Sequence, residues 1–191
     1  MTVPSILEDI ATSPEKEGSQ LLAQLNYVAF GGGPLKNAVG DALTKEGVRL
    51  LNHYGATEVG PLSPMFVPQK GYNWRYFRLR RDMNLVLTEV KSPQDEARQF
   101  SLTAYPFGWN EKFEIQDSLV EDPNNPEVDF ANVGRKDDVV ILATGEKLSP
   151  RILEAMLEDS PEVKTAVVFG ENQFEIGVIV EPTPWAATKD E

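Results

Sequence analysis

Residues 5–60 alternate helical and strand signals, and this alternation limits the possible folds more than any other feature of the chain. A strand-like run ends at Phe30, three glycines follow, and apolar residues recur at helical spacing over Leu35–Leu43. Gly47 stands where a left-handed C-terminal cap of a helix is expected, and residues 48–51 give a second strand signal. Strand, helix and strand in this order predict an α/β layer.

Short strand signals dominate the chain from about Trp74 onward, with Asn, Asp, Pro and Gly clusters between them. They cover residues 74–79, 85–90, 100–105 and 113–115. Strands this short and closely spaced predict an antiparallel sheet or small barrel. The acidic, proline-broken segment 121–127 is expected to be an exposed loop.

The pattern changes again at Gly134, which we take as a domain boundary between residues 1–133 and 134–191. Beyond it we expect a turn at Thr144-Gly145 and a helix that begins after Ser149, with Ser149 as its N-cap. The strands of this part are predicted at residues 139–142, 163–169 and 175–180. The fold class is therefore mixed α/β (α+β), with a small α/β unit at the C-terminal end.

Composition narrows the classes of partner and site. The chain of 191 residues carries 18 Lys and Arg against 30 Asp and Glu, a net charge of −12, which disfavours nucleic acid and anionic membrane surfaces as partners. The chain has no cysteine, which excludes disulfides and thiolate sites. No apolar run approaches the roughly 20 residues of a membrane span. A cytoplasmic location is the expectation.

Two loops hold the residue types that bind nucleotides. Gly31-Gly32-Gly33-Pro34 follows a strand and opens a helix, so a planar group or an anion can approach its backbone, although three glycines also make a plain strand-to-helix turn. The loop His53–Glu58, HYGATE, combines donors at Gly55 and Thr57 with the Glu58 carboxylate, which could hold Mg²⁺. A loop that leads into a helix N-cap is the alternative for HYGATE.

The two loops, together with a downstream aspartate and the segments GRKDD and TGEKLSP, resemble the adenylate-forming superfamily in their order and spacing. That superfamily includes acyl-CoA synthetases and peptide-synthetase adenylation domains. The segments WRYFRL, AYPFGWNEKFEIQDSL and VGRKDDVVILATGEKLSP resemble in particular the fungal reductase-type synthetases, which are similar to carboxylic acid reductases. The resemblance implies a partial adenylate-forming fold: a remnant of the large domain's α/β layer and antiparallel sheet, and the start of its small C-terminal subdomain.

The resemblance also implies roles for residues of the two loops. Gly31, Gly32, Gly33 and Pro34 would line the adenine and acyl pocket. Tyr54 would lie against the adenine ring beside Gly55, Thr57 would contact the α-phosphate, and Glu58 would bind Mg²⁺. Thr57 and Glu58 are thus the expected catalytic residues. His53 matches a position near the acyl pocket, and a structural histidine without a catalytic role is the alternative.

Further roles are implied for residues beyond the loops. Asp117 would accept hydrogen bonds from the ribose hydroxyls, although Ile115-Gln116 stands where the superfamily has Thr-Gly. Arg135 would contact ribose and phosphate, and Asp137 would be the hinge of the small domain. Gly145 would let a phosphopantetheine thiol reach the adenylate. A solvated turn at residues 134–138 and an ordinary β-turn glycine at 145 are the simpler alternatives.

Parts that the superfamily possesses are missing from these 191 residues. The Ser/Thr/Gly-rich ATP loop and the lysine that polarises the acyl carboxylate are absent, and Lys189 lacks the context for that role. The first hypothesis is a truncated adenylation domain with ATP or AMP and Mg²⁺ as cofactors. Its partners would be a small-molecule carboxylic acid and a carrier domain. The second is a repurposed homologue that binds a small molecule, or acts on one without ATP. Sheet edges left open by the truncation also suggest a homodimer.

Overall fold

The computed structural model describes residues 1–90 and 98–184. Helices in these ranges are α1 (Pro4–Thr12), α2 (Glu17–Ala23), α3 (Asn37–Lys45) and α4 (Pro150–Glu158), with a 3₁₀ turn at Lys136–Asp138. Strands β1 to β7 are Val28–Phe30, Leu50–Asn52, Gly55–Ala56, Gly60–Pro61, Phe77–Arg78, Leu85–Val90 and Gln99–Ala104. Strands β8 to β13 are Phe113–Glu121, Asp129–Arg135, Val140–Ile141, Lys147–Leu148, Val163–Phe169 and Gly177–Pro182. No helix in the described ranges is long and apolar enough to span a membrane.

These helices and strands confirm the predicted mixed α/β class. The described chain forms two compact units. The first unit comprises Met1–Ile115 and Leu119–Ala131, and the second comprises Gln116–Ser118 and Asn132–Glu191. Lys189 lies outside the described residues.

A parallel pair of strands, β1 and β2, forms the centre of the α/β layer in the first unit, as the sequence predicts. Val28 lies opposite Leu50 and Phe30 opposite Asn52, and α3 connects the two strands. Parallel neighbours need such a crossover, because a tight hairpin reverses the chain. The pair and its helices share one core, made by Leu7, Val28, Phe30, Leu35, Val39, Leu43, Val48, Leu50 and Trp74.

The C-terminal end of α3 confirms the cap that the sequence predicts at Gly47. Gly47 has a φ of +95°, the left-handed conformation that glycine adopts without a steric penalty. Its N–H donates to the Thr44 carbonyl, and the N–H of Val48 donates to the Leu43 carbonyl, each at 3.0 Å. This pair of bonds, with Val48 and Leu43 both buried, is a Schellman motif that turns the chain into β2.

A five-stranded sheet in the order β5, β9, β8, β7, β6 follows the α/β layer. Strands β6 and β7 lie where the sequence predicts them. Every second side chain of β7 is buried in the core, namely those of Phe100, Leu102 and Ala104. The core of this sheet consists of Tyr54, Leu62, Phe77, Phe100, Leu102, Ile115, Leu119 and Phe130.

The sequence analysis missed strand β9. Residues 129–135 contain few β-branched side chains, and their pairing is non-local, with Phe130 opposite Phe77. The segment before β9 is mostly exposed as expected, but Asp122 within it is buried. Its N–H donates to the Asp129 carbonyl at 2.8 Å, and its carboxylate accepts the N–H of Asn124 at 2.9 Å.

The second unit contains a small hairpin and a helix packed on a strand pair. Strands β10 and β11 form the hairpin, and Gly145 in its turn has a φ of +83°. Helix α4 begins after Ser149 as predicted, but the Ser149 hydroxyl does not cap it and donates to the Val133 carbonyl at 3.4 Å. The prediction of a side-chain cap at Ser149 was therefore wrong.

Helix α4 covers the free edge of β12, which pairs with β13 on its other side. The Glu154 carboxylate accepts the N–H of Val168 at 3.0 Å, and the Glu158 carboxylate accepts the N–H of Ala166 at 3.2 Å. Ala166 and Val168 are buried. These two N–H groups of β12 are thus satisfied by side chains of the helix.

Candidate functional site

The predicted loops lie side by side in the first unit, at the carboxyl ends of β1 and β2. The N–H of His53 donates to the Phe30 carbonyl at 2.8 Å, which continues the strand pairing by one residue. A Cβ added to Gly31 would lie 2.4 Å from the His53 carbonyl oxygen. Only a glycine at position 31 allows this approach, so the close contact between the loops depends on it.

The remaining residues of the glycine loop are open to solvent. Gly32 and Gly33 are exposed, with no other atoms within 4 Å of the position of a Cβ, and Pro34 is exposed as well. Gly32 has a φ of +86°. The loop therefore offers accessible backbone beside His53, as a binding loop requires.

The HYGATE segment departs from the loop that the sequence predicts. Gly55–Ala56 and Gly60–Pro61 pair as a short antiparallel hairpin, and Thr57 and Glu58 lie exposed in its turn. A helix N-cap, the alternative interpretation, is wrong for the same reason. The hairpin holds the Thr57 hydroxyl and the Glu58 carboxylate on adjacent residues at an exposed tip.

Tyr54 lies in the core beneath the hairpin. Its ring stacks on Phe77 with centroids 4.3 Å apart and planes 12° apart, and the residue is 8% exposed. Phe77 therefore covers one face of the ring that the resemblance assigns to adenine. A role of Tyr54 toward a ligand stays a prediction, limited to the part of the ring that Phe77 leaves free.

Ser63 anchors the segment, and the sequence analysis missed this residue. Its Oγ accepts the N–H of Tyr54 at 2.8 Å and lies 2.9 Å from Nδ1 of His53. No local motif marks this serine, which follows His53 by ten positions and meets it only through the fold. Burial of the His53 ring lowers its pKa below the usual value.

The predicted residues of the second unit form a charged group. Arg135 donates to the Asp137 carboxylate through Nε at 2.8 Å and through a terminal nitrogen at 2.7 Å. The bonded Asp137 raises the pKa of Arg135, with a further contribution from the charge of Asp117, and Arg135 in turn lowers the pKa of Asp137. Arg135 and Asp117 are thus electrostatic neighbours. Gly145 lies in the β10–β11 turn, away from these residues along the chain.

Glu58 supplies one carboxylate at the hairpin tip. One carboxylate is compatible with a Mg²⁺ ion that also binds water and phosphate oxygens, but it is too few for a cation bound by protein ligands alone. The described residues contain no group of three or more His, Asp or Glu side chains placed to hold a metal ion. Mg²⁺ commonly keeps several waters and takes one or two carboxylates with phosphate oxygens. Glu58 could supply one such carboxylate.

The first unit also contains a cavity of about 1060 Å³. It is lined in part by Phe66, Tyr72 and Arg78, and none of the predicted site residues lines it. Arg78 lies over the Phe66 and Tyr72 rings and donates to the buried Asp129 at 2.7 Å. Arg78 and Asp129 thus neutralise each other at the wall of this cavity.

Comparisons with known proteins agree with the resemblance. Residues 137–191 match the family model described as the AMP-binding enzyme C-terminal domain. A non-ribosomal peptide synthetase, ascB, of Acremonium egyptiacum is 53% identical over 182 residues, which are 95% of this chain and 16% of that protein. The adenylate-forming reductase stbB of Stachybotrys bisbyi is 52% identical over 95% of this chain and 17% of its own length.

A solved structure shares the fold. The A-PCP didomain of carboxylic acid reductase from Segniliparus rugosus, in complex with AMP, superposes with a TM-score of 0.66 at 21% identity. The match covers 98% of this chain and 31% of that one. The chain is a partial AMP-binding domain. It is homologous to adenylate-forming reductases and related peptide synthetases, and spans about a sixth of the length of these relatives.

The first prediction concerns the contact between the two loops of this AMP-binding domain. Gly31→Ala should lower the free energy of unfolding by about 1 to 3 kcal/mol, because the new methyl group would overlap the His53 carbonyl. Gly33→Ala is the matched control, since its Cβ would meet open space, and should change the free energy by no more than about 0.5 kcal/mol. Urea denaturation measures both. Equal effects at the two positions would contradict the prediction.

A second prediction concerns pH. Burial lowers the pKa of His53 in the folded state, so the folded state favours the neutral ring. As the pH falls below 6.5, the histidine is therefore protonated in the unfolded chain before it is protonated in the folded chain. The contribution of His53 to stability is therefore complete above pH 6.5 and is lost progressively below it, with a slope of at most about 1.4 kcal/mol per pH unit.

His53→Asn tests this prediction because His53 is the one histidine of the chain. The free energy of unfolding, measured in urea between pH 7.5 and 5, should fall more steeply for the wild type than for the variant. Parallel curves for the two proteins would show that the prediction is wrong.

Proposed function

We propose that this partial AMP-binding domain contributes AMP and acyl contacts to an enzyme that activates a carboxylic acid. The observation that carries the proposal is the contact between Gly31 and His53, which brings both predicted binding loops to one edge of the parallel strand pair. Open α/β sheets bind ligands at the carboxyl ends of their strands. The identity with adenylate-forming reductases supports the same activity.

In the proposed mechanism the exposed tip of the β3–β4 hairpin binds the α-phosphate of the nucleotide. The Thr57 hydroxyl would donate to the α-phosphate of the nucleotide, where negative charge accumulates as the carboxylate attacks. Glu58 would hold Mg²⁺, which supplies charge neutralisation to the phosphate oxygens when bound. The exposed backbone of residues 31–34 would allow the adenine and acyl groups to approach.

The second unit would serve the ribose and the later transfer step. Asp117 would accept both ribose hydroxyls, and Arg135, oriented by its two bonds to Asp137, would contact ribose and phosphate. We further propose Asp137 as the hinge, Gly145 as the passage for the phosphopantetheine thiol of a carrier domain, and a domain boundary between residues 133 and 134. A cytoplasmic location and a homodimer stay predictions.

A nucleotide titration tests the AMP site. Asp117→Ala should weaken AMP binding by about 1.5 to 3 kcal/mol, because a charged acceptor of ribose hydroxyls is lost. Glu175→Ala, which removes an exposed carboxylate from the same unit, is the control and should leave binding unchanged. Calorimetry with AMP, with and without Mg²⁺, measures the effect. Undetectable wild-type binding at millimolar AMP would refute the proposal and favour a repurposed pocket.

The 191 residues alone should not form acyl-adenylate. They lack the ATP loop and the acyl-polarising lysine of the superfamily, and each such contribution is commonly worth about 10² to 10³ in rate. Pyrophosphate exchange with a panel of carboxylic acids should therefore stay at background, with an intact adenylate-forming reductase as the positive control. Robust acid-dependent exchange by the isolated chain would contradict this.

A further inference from the structure

The hydroxyl of Ser63 makes three contacts with residues of the HYGATE segment. Its oxygen lies 2.8 Å from the N–H nitrogen of Tyr54, 2.9 Å from Nδ1 of His53 and 3.3 Å from the Tyr54 carbonyl oxygen. Ser63 is only 3% exposed. Because water has little access, the direction of each bond is set by the protein groups themselves.

The hydroxyl has one proton to donate, and the neighbouring groups decide its direction. The N–H of Tyr54 can only donate, so it uses one lone pair of the serine oxygen. The Tyr54 carbonyl already accepts the N–H groups of Leu62 and Ser63, each at 3.0 Å, which fill its two lone pairs. The remaining acceptor, Nδ1 of His53, is also nearer and takes the proton.

The direction of this bond determines the form of the histidine ring. A ring nitrogen that accepts a hydrogen bond carries no proton, so the proton of the neutral imidazole lies on Nε2. Within the described residues, Nε2 of His53 has no hydrogen-bond partner. We propose that Ser63 is a positioning residue that fixes His53 in the Nε2–H tautomer, as a hydrogen-bond donor on the residue whose backbone contacts Gly31.

The value of such a donor rests on the proposed function. His53 belongs to the edge where the acyl ligand would bind, and a fixed N–H can donate to an acceptor oxygen of that ligand. The other tautomer would present a lone pair to the same oxygen and repel it. Burial, which lowers the pKa of His53, supports a neutral ring near pH 7.

Nitrogen NMR can test the tautomer directly, because the chain has a single histidine. In protein labelled with ¹⁵N-histidine, at a pH above the titration of the ring, we expect a protonated Nε2 and an unprotonated, hydrogen-bonded Nδ1. Ser63→Ala should shift the Nδ1 resonance and raise the pKa of His53, since the bond from Ser63 stabilises the neutral ring. Ser101→Ala, which removes a hydroxyl that donates to the Thr88 carbonyl in β6, should change neither signal.

Two results would overturn the proposal. A wild-type ring protonated at Nδ1 would do so whether or not Ser63→Ala folds. Unchanged His53 signals in folded Ser63→Ala would do so as well. The measurement requires no nucleotide, so its failure is distinguishable from a failure of AMP binding.

Discussion

The parallel pairing of β1 and β2 is the interaction on which the candidate site depends. Its register places Phe30 opposite Asn52, and the bond from His53 to the Phe30 carbonyl carries the pairing past the end of both strands. The glycine loop and the HYGATE segment leave the sheet at this point. A shift of one residue would reverse the faces of the strand side chains and separate Gly31 from His53. The position of the candidate site therefore depends on the register of β1 and β2.

The HYGATE segment is also tied to the core of the five-stranded sheet. Tyr54 stacks on Phe77 of β5, and its backbone is bonded on both sides to Leu62 and Ser63. The residue that lies between this anchor and the strand pairing is His53. With its backbone held by Phe30 and its ring held by Ser63, His53 has little freedom left, and such restraint allows a single donor to act in recognition.

The local features of this fold could be predicted from the sequence, whereas the non-local ones could not. Helix α3, its cap at Gly47 and strands β6 and β7 follow from periodicity and turn chemistry within a few residues. Strand β9 depends on pairing with β5, some fifty residues earlier in the chain, and Ser63 depends on the fold to meet His53. The two loops can be recognised from their motifs, but the contact at Gly31 and the bonds of Ser63 are tertiary contacts that no motif encodes.

The ion pair between Arg135 and Asp137 orients the guanidinium group but contributes little to the stability of the fold. Two short bonds fix the guanidinium plane, yet both side chains are about half exposed, at 51% and 52%, so the pair adds little to stability. Asp137 also begins the segment that matches the AMP-binding C-terminal domain. The backbone of Asp137, the proposed hinge, must be able to rotate. The guanidinium group of Arg135 must at the same time remain available to bind phosphate. An exposed ion pair meets both requirements, because water can replace either partner at low cost, whereas a buried pair would resist the rotation.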